Sequence, residues 1–426
     1  MSATTPSTGS QKSAFMAVTV LFFAWGFITS LIDPLVAAVK GIFTLSTLEA
    51  QLSAGAFFIA YGVMSFPAAA IIGRMRAVPA ILLALATMAV ACLVMLSAAN
   101  AASYPLVLAG LFLLATGITV LQVAANPLAA ALGKPEGSHF RLTLSQTFNS
   151  FGTFLGPALG ASLFLKGVEV TEGTTLTTEV RDAALAGIDR AYFWICGLLL
   201  LLLVFFFINR KRIAAAAPPA QAPRSIGALL SEAFSSRWAL LGASAIFIYV
   251  GAEVAIGTQM ALFLNTSGIW GISLEQAGKA VSFYWGGAMI GRAIGTLLLA
   301  RFPAARLMAL FAAIAAAMCA YVMIVGGVSA GYVALAIGLF NSIMFPVIFT
   351  LTLERSTASE EATSGLLCTG IIGGAAIPAI AGAVTDATSF VTAFIVPATC
   401  YVLLVLFAMR AAAAPVVRRS SGESVH

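Results

Sequence analysis

Apolar runs of about twenty residues, the length an α-helix needs to cross a bilayer, recur along the whole chain. They fall near 13–40, 48–72, 78–98, 104–132, 141–166, 188–208, 237–264, 278–300, 303–326, 329–353, 362–385 and 388–410. Twelve such runs in 426 residues leave mainly short connections. A soluble domain is about 45 to 50% apolar, whereas this chain is 61% hydrophobic and 9% charged. In lipid every backbone N–H and C=O must be satisfied within the protein, which a helix does along its own length. The expected fold class is therefore an all-α membrane protein with twelve transmembrane helices. The first run is too long for the h-region of a signal peptide and reads as an uncleaved span.

Charge sets the expected orientation. Assigning alternate connections to alternate sides places 17 of the 22 Lys and Arg on one side, among them Arg74, Arg76, Arg210, Lys211, Arg212, Arg292 and Arg355. Lys40, Lys166, Arg181, Arg190 and Lys279 fall on the other. By the positive-inside rule, both termini face the cytoplasm of a chain that crosses the inner (plasma) membrane many times. The +6 net charge sorts by connection and forms no single basic face, so nucleic acid is not an expected partner. All five cysteines, Cys92, Cys196, Cys319, Cys368 and Cys400, lie in apolar runs without metal-ligand spacing and read as packing residues. No phosphate-cradling GxxxxGK[ST] motif, Ser/His/Asp set or HExxH is present, so neither an enzyme, a cofactor nor ATP-driven transport is expected.

The chain divides near its middle. NRKRIAAAAPPAQAPRS, residues 209–225, is basic, rich in Ala and Pro, and reads as part of a cytoplasmic linker over 209–236. The expected parts are a tail at 1–12, a six-helix bundle at 13–208, the linker, a second bundle at 237–410 and a tail at 411–426. The halves echo each other: Pro127 and Pro346 are 219 residues apart, Pro157 and Pro378 221, Gly73 and Gly291 218. Parallel repeats of six spans place a binding site near the midplane between two pseudo-symmetric bundles. Gly152, Gly156 and Gly160, at i, i+4 and i+8, predict a close helix approach along one face.

Polar groups inside the apolar runs are the candidates for function. Asp33 and Glu253 are the acidic residues well within spans, and neither shows an obvious basic partner at membrane depth. A carboxylate near a helix centre costs roughly 2.5 to 3.5 kcal/mol even on insertion scales, so Asp33 is expected to face an internal cavity. Pro34 follows it and deprives the Ser30 carbonyl of its helical N–H. Asp33 either carries a proton or serves the backbone loosened there; Glu253 either hydrogen-bonds a neighbouring helix or takes part in substrate or proton binding. Gln122 and Asn126 share one helix face, as do Gln146, Asn149 and Ser150, and Pro127 is expected to break its helix. These neutral amides suit an uncharged polyhydroxylated ligand, or else lock the two helices together. Gln259, on the span of Glu253, is a further neutral candidate. Trp25, Phe148, Tyr284 and Trp285 offer faces for a sugar ring, or packing surface.

FFAWGFITSLIDPL, AYGVMSFPA, LQVAANP, HFRLTLSQTFNSFG, YVGAEVAIG and NSIMFPVIF resemble, in order and over nearly the whole chain, the fucose–galactose–glucose:proton symporter family of the major facilitator superfamily. The resemblance implies uptake of a monosaccharide with a proton by alternating access, Asp33 as proton carrier, and sugar contact by Gln146 and Asn149. Where the L-fucose branch has a glutamate, this chain has Gln122; Phe345 and Ser30 replace a tyrosine and an asparagine. These departures favour a glucose- or galactose-type hexose, with N-acetylglucosamine and L-fucose as alternatives. The expected partners are the sugar, the proton and the lipid bilayer, with a monomer as the working unit. A transporter-like membrane sugar sensor is the alternative of another class. Such a sensor is expected to carry a long soluble signalling domain, and sixteen residues follow Arg410.

Overall fold

The computed structural model describes residues 8–132, 138–166, 168, 177–216, 225–299 and 301–417, and their regular structure is helical. The first half holds α1 (Thr8–Ser30), α2 (Ile32–Ile42), α3 (Thr47–Met75), α4 (Ala77–Asn100), α5 (Tyr104–Ala131), α6 (Ser138–Phe164) and α7 (Thr178–Ala216). A short α8 (Ile226–Ser235) leads into α9 (Arg237–Asn265), α10 (Leu274–Leu299), α11 (Ala304–Val325) and α12 (Gly327–Asn341). The chain continues through α13 (Met344–Arg355), α14 (Glu360–Thr369), α15 (Gly373–Ala387) and α16 (Ile395–Ala413). Among the described residues ten helical stretches are long and apolar enough to cross a membrane. Helices α6 and α10, of 27 and 26 residues, reach about 40 Å at 1.5 Å per residue and complete the twelve. They carry several of the polar side chains that the bundle encloses.

Among the described residues three spans are interrupted: the eleventh by a 3-10 turn at Gly370–Ile372 between α14 and α15, and the first and tenth at breaks for which proline accounts. The first is interrupted at Leu31, between α1 and α2, three residues before Pro34. The tenth is interrupted at Ser342 and Ile343, three residues before Pro346. A proline lacks the N–H that the carbonyl four residues earlier would use, which frees the carbonyls of Ser30 and Ser342. The second is reused: Ser342 O receives Arg292 Nε at 3.5 Å, a long contact, and the adjacent Asn341 O receives the Tyr249 hydroxyl at 3.2 Å.

The packing repeats between halves. In the first half α1 packs on α6, α3 on α5, α4 on α5 and α4 on α7. Their counterparts α9 on α15, α10 on α12, α11 on α12 and α11 on α16 form the same four contacts in the second half. The bundles meet along α6 with α10, α3 with α15, and α2 with α9. The glycine stripe is the seam that holds the first span to the fifth. Side chains added at Gly152, Gly156 or Gly160 would strike Phe23 and Phe27, Ser30, and Pro34 with Leu31, respectively. Here the absence of Cβ is what permits the approach.

With an even number of spans, the start of α1 and the end of α16 share one end of the bundle. At the opposite, far end the two bundles are bonded to each other. At that end the Asp386 carboxylate accepts the backbone N–H groups of Thr47 and Leu48, each at 2.8 Å. Nearby, Thr258 Oγ1 donates to Gln51 Oε1 at 2.9 Å across the bundles.

Several expectations are corrected. Helix starts at Thr8, inside the segment expected as a tail. The sixth span, expected at 188–208, is the 39-residue α7 and takes in residues 209–216 of the expected linker; α8 takes 226–235. Residues 209–216 escape apolar patterning because Asn, Lys, Arg and Ala extend a helix without marking a buried face, and α8, though apolar, has only 10 residues, too few to read as a span. Residues 217–224 lie outside the described residues. Helix α5 continues past residue 127 to Ala131, so the expected break at Pro127 does not occur. The cysteines are free, Cys368 half-buried and the rest buried, as packing residues should be.

Candidate functional site

A cavity of about 200 Å³ lies between the bundles. That is below the roughly 300 to 1,000 Å³ of drug-sized pockets and suits a small ligand. From the first bundle Trp25, Ser30, Asp33, Tyr61, Gln122 and Asn149 line it. From the second come Glu253, Trp285, Met289 and Arg292.

The break before Pro34 sets Asp33 at the start of α2, in the first bundle, where its carboxylate meets the second. Its side chain is buried, and Oδ2 accepts the Trp285 indole N–H at 2.5 Å. Glu253 lies across the cavity and interacts electrostatically with both Asp33 and Arg292. Its Oε1 accepts the Tyr249 hydroxyl at 2.7 Å. Arg292 Nη1 donates to Ser150 Oγ at 2.7 Å, which ties α10 to α6. Gln122 Nε2 donates to the Tyr61 hydroxyl at 3.0 Å, and Asn149 Nδ2 to the Phe22 carbonyl at 3.0 Å. Both amides keep acceptor oxygens for a ligand. The arrangement therefore pairs neutral donors and acceptors on one wall with two carboxyls able to take up or release protons.

The structure brings together Trp25, Ser30, Asp33, Gln122, Asn149, Glu253 and Trp285. It places the other expected site residues elsewhere. Gln146 Nε2 donates to Asn126 Oδ1 at 3.3 Å, so this pair fastens α6 to α5 and does not line the cavity. Tyr284 is fully buried behind the cavity wall; its hydroxyl donates to the Glu253 carbonyl at 3.1 Å and accepts from Asn341 Nδ2 at 2.6 Å. Gln259 sits nearer the far end, where Thr385 donates to its Oε1 at 2.8 Å, beside a separate apolar pocket. Phe345 packs its ring on Tyr249 and Phe349, and Phe148 is exposed away from the cavity. Each residue type is polar or aromatic enough for a site, but helix phase turns it toward a neighbour or, for Phe148, to the outside.

Sequence reasoning missed Tyr61 and misplaced Arg292. Sorting charges by connection puts Arg292 on the basic side, yet it lies within α10 and lines the cavity with Glu253. It is the basic partner that the sequence did not reveal. The available signal was a cation inside the run 278–300, where charge is costly unless paired.

Comparison with known proteins places this geometry. The profile of the Major Facilitator Superfamily matches residues 14–367. The chain is 37% identical over 405 residues to a glucose/galactose transporter of Brucella abortus, across 94% of this chain and 95% of the relative. It is 30% identical over 410 residues to the L-fucose-proton symporter of Escherichia coli, across 92% of each. The crystal structure of the Escherichia coli fucose:proton symporter superposes with a TM-score of 0.70 at 27% identity, across 94% of this chain and 99% of that one. An inward-facing bacterial homolog of the human lysosomal transporter Spinster shares the fold, with a TM-score of 0.68 at 17% identity, across 94% of this chain and 96% of that one.

Proposed function

Since the chain belongs to the Major Facilitator Superfamily, we propose that it takes up a neutral monosaccharide together with a proton by alternating access. The observation that carries this reading is the cavity itself, where the Asp33 carboxylate and the neutral Gln122, Asn149 and Tyr61 meet between two bundles. Asp33 is the proton carrier. Gln122, Asn149 and Tyr61 hold sugar hydroxyls, and Trp25 supplies an apolar face for the ring. The substrate is a glucose- or galactose-type hexose: Gln122, an amide in place of a carboxylate, favours it, and so does the identity with the Brucella relative. The chain works as a monomer in the inner membrane, with both termini cytoplasmic and the far end outside.

One proton is enough to drive accumulation. A potential of about 100 mV contributes roughly 2.3 kcal/mol per charge, and one pH unit adds about 1.36 kcal/mol. Together they support a gradient of a neutral sugar on the order of 500-fold, at about 1.4 kcal/mol per decade. The test is uptake of a labelled sugar panel into proteoliposomes with and without an inward proton gradient. Glucose or galactose should accumulate only with the gradient. Asp33→Asn should still exchange sugar across the membrane and fail to accumulate it; normal accumulation by this variant would remove Asp33 from the mechanism.

A further inference from the structure

We infer that Trp285 is the positioning residue through which the second bundle responds to the charge on Asp33, an inference that rests on Asp33 as the proton carrier. The two residues are 252 apart in the chain and belong to different bundles, yet Trp285 Nε1 donates to Asp33 Oδ2 at 2.5 Å.

The surroundings are built for this contact. Gly257, on α9, leaves the space in which ring and carboxyl meet: a Cβ there would lie 3.2 Å from Trp285 Cζ2 and 3.3 Å from Asp33 Oδ1. Tyr284 stands edge-on to the indole, with centroids 5.1 Å apart and planes at 74°. Tyr284 is itself held by Glu253 O and Asn341, so the indole is backed by a buried ring that does not itself line the cavity. The other titratable groups around Asp33 are Glu253 from α9, Arg292 and the Tyr284 hydroxyl from α10, and Tyr61 from α3. From α6 the cavity receives the neutral Asn149, Ser150 and Thr153. Helix α7 offers Arg181, which bonds the Ile42 carbonyl at the end of α2.

An indole N–H can donate and cannot accept. A hydroxyl or amide in its place would follow the proton by exchanging roles; Trp285 cannot. Its bond to a carboxylate is charge-assisted and stronger than its bond to a neutral carboxyl. Loss of the proton from Asp33 and docking of α10 against α2 therefore reinforce each other, a coupling that is reciprocal. The contact is made together with the bonds that join the bundles at the far end; with that end outside, a symporter held in this arrangement gives up its proton to water on the terminus side. No covalent bond changes; the proton passes from the Asp33 carboxyl to solvent.

The test uses the full-length protein in proteoliposomes, with labelled glucose and galactose as probes. Trp285→Phe keeps a ring beside Gly257 and removes the N–H. It should exchange sugar and bind it within about twofold of wild type, while proton-driven accumulation falls about tenfold. Gly257→Ala, with both partners chemically intact, should reduce accumulation in the same direction by a smaller factor. In a variant that keeps Trp285 as its single tryptophan, emission should change with pH, and Asp33→Asn should abolish that change. These last two measurements decide the matter should Trp285→Phe fail to fold. Wild-type accumulation by Trp285→Phe, or pH-insensitive emission, overturns the role of Trp285 and leaves Asp33 as proton carrier. A loss of sugar affinity that matches the loss of accumulation overturns it too, and makes Trp285 a sugar contact. Accumulation by Asp33→Asn would overturn the proton-carrier reading, and this inference with it.

Discussion

Replacing Asp386 by alanine is expected to loosen the far end of the protein. Its carboxylate is the second bundle's grip on the first turn of α3, through Thr47 N and Leu48 N at 2.8 Å each. The contact places a negative charge at a helix N-terminus, where it is favourable by about 0.3 to 1 kcal/mol. Hydrogen bonds to a charged group contribute about 1.5 to 3 kcal/mol when sheltered. Asp386 is exposed, so water replaces much of what is lost. A net weakening of about 1 to 2 kcal/mol follows, a factor of roughly 5 to 30 in population. Helix α3 itself should survive, because its capping box remains: Ser46 Oγ accepts Glu49 N at 3.1 Å and Glu49 Oε2 accepts Ser46 N at 2.8 Å. The assay is pulsed electron paramagnetic resonance between spin labels at Thr44 and Ser389, exposed positions on either side of the contact. Asp386→Ala should add a population at longer distance, and Asp386→Asn, which keeps one acceptor oxygen, a smaller one. Distance distributions that coincide with wild type would refute the reasoning and make the contact an incidental surface bond.

Three further outcomes are expected. Gln122→Ala should weaken sugar binding by about 1 to 3 kcal/mol, since it strands a hydroxyl that had left water; Gln146→Ala, which breaks a lock between helices, should leave calorimetric affinity near wild type, and equal losses in the two variants would contradict the assignment. Gly156→Leu forces a side chain into Ser30 and the Phe27 carbonyl, and overpacking of this kind costs about 1 to 3 kcal/mol; an unchanged melting temperature would show that the seam is loose. Cysteine labelling from outside intact cells should reach a cysteine placed at Thr44 and spare one at Ala216, and the reverse pattern would invert the proposed orientation.

The sequence by itself determined the membrane fold, because hydrophobic length and backbone satisfaction in lipid are properties of a local run of residues. Twelve spans, the twofold repeat, the interruption before Pro34 and the glycine seam were all legible in this way. So was the expectation that Asp33 faces an internal cavity, where Glu253 also lies, since the cost of a charge in an apolar run does not depend on knowing its neighbour. The true extent of α7 and α8 was less legible, because the end of α7 is basic and α8 is too short to read as a span.

Which polar residues share the cavity was decided by tertiary structure alone. Gln122 and Asn126 are four residues apart on α5, and Gln146 and Asn149 three apart on α6, yet one of each pair faces the cavity and the other faces its neighbour helix. Faces three or four residues apart are neighbours and not identical, and a rotation of a few tens of degrees separates ligand contact from helix lock. The partner of a charge is a still more distant fact. Arg292 meets Ser150 of the other bundle, and Trp285 meets Asp33, because two halves of one chain fold back to back. No local pattern of residues records that approach; the energy that selects it, from glycine seams and bonds between bundles, exists only once the helices are packed.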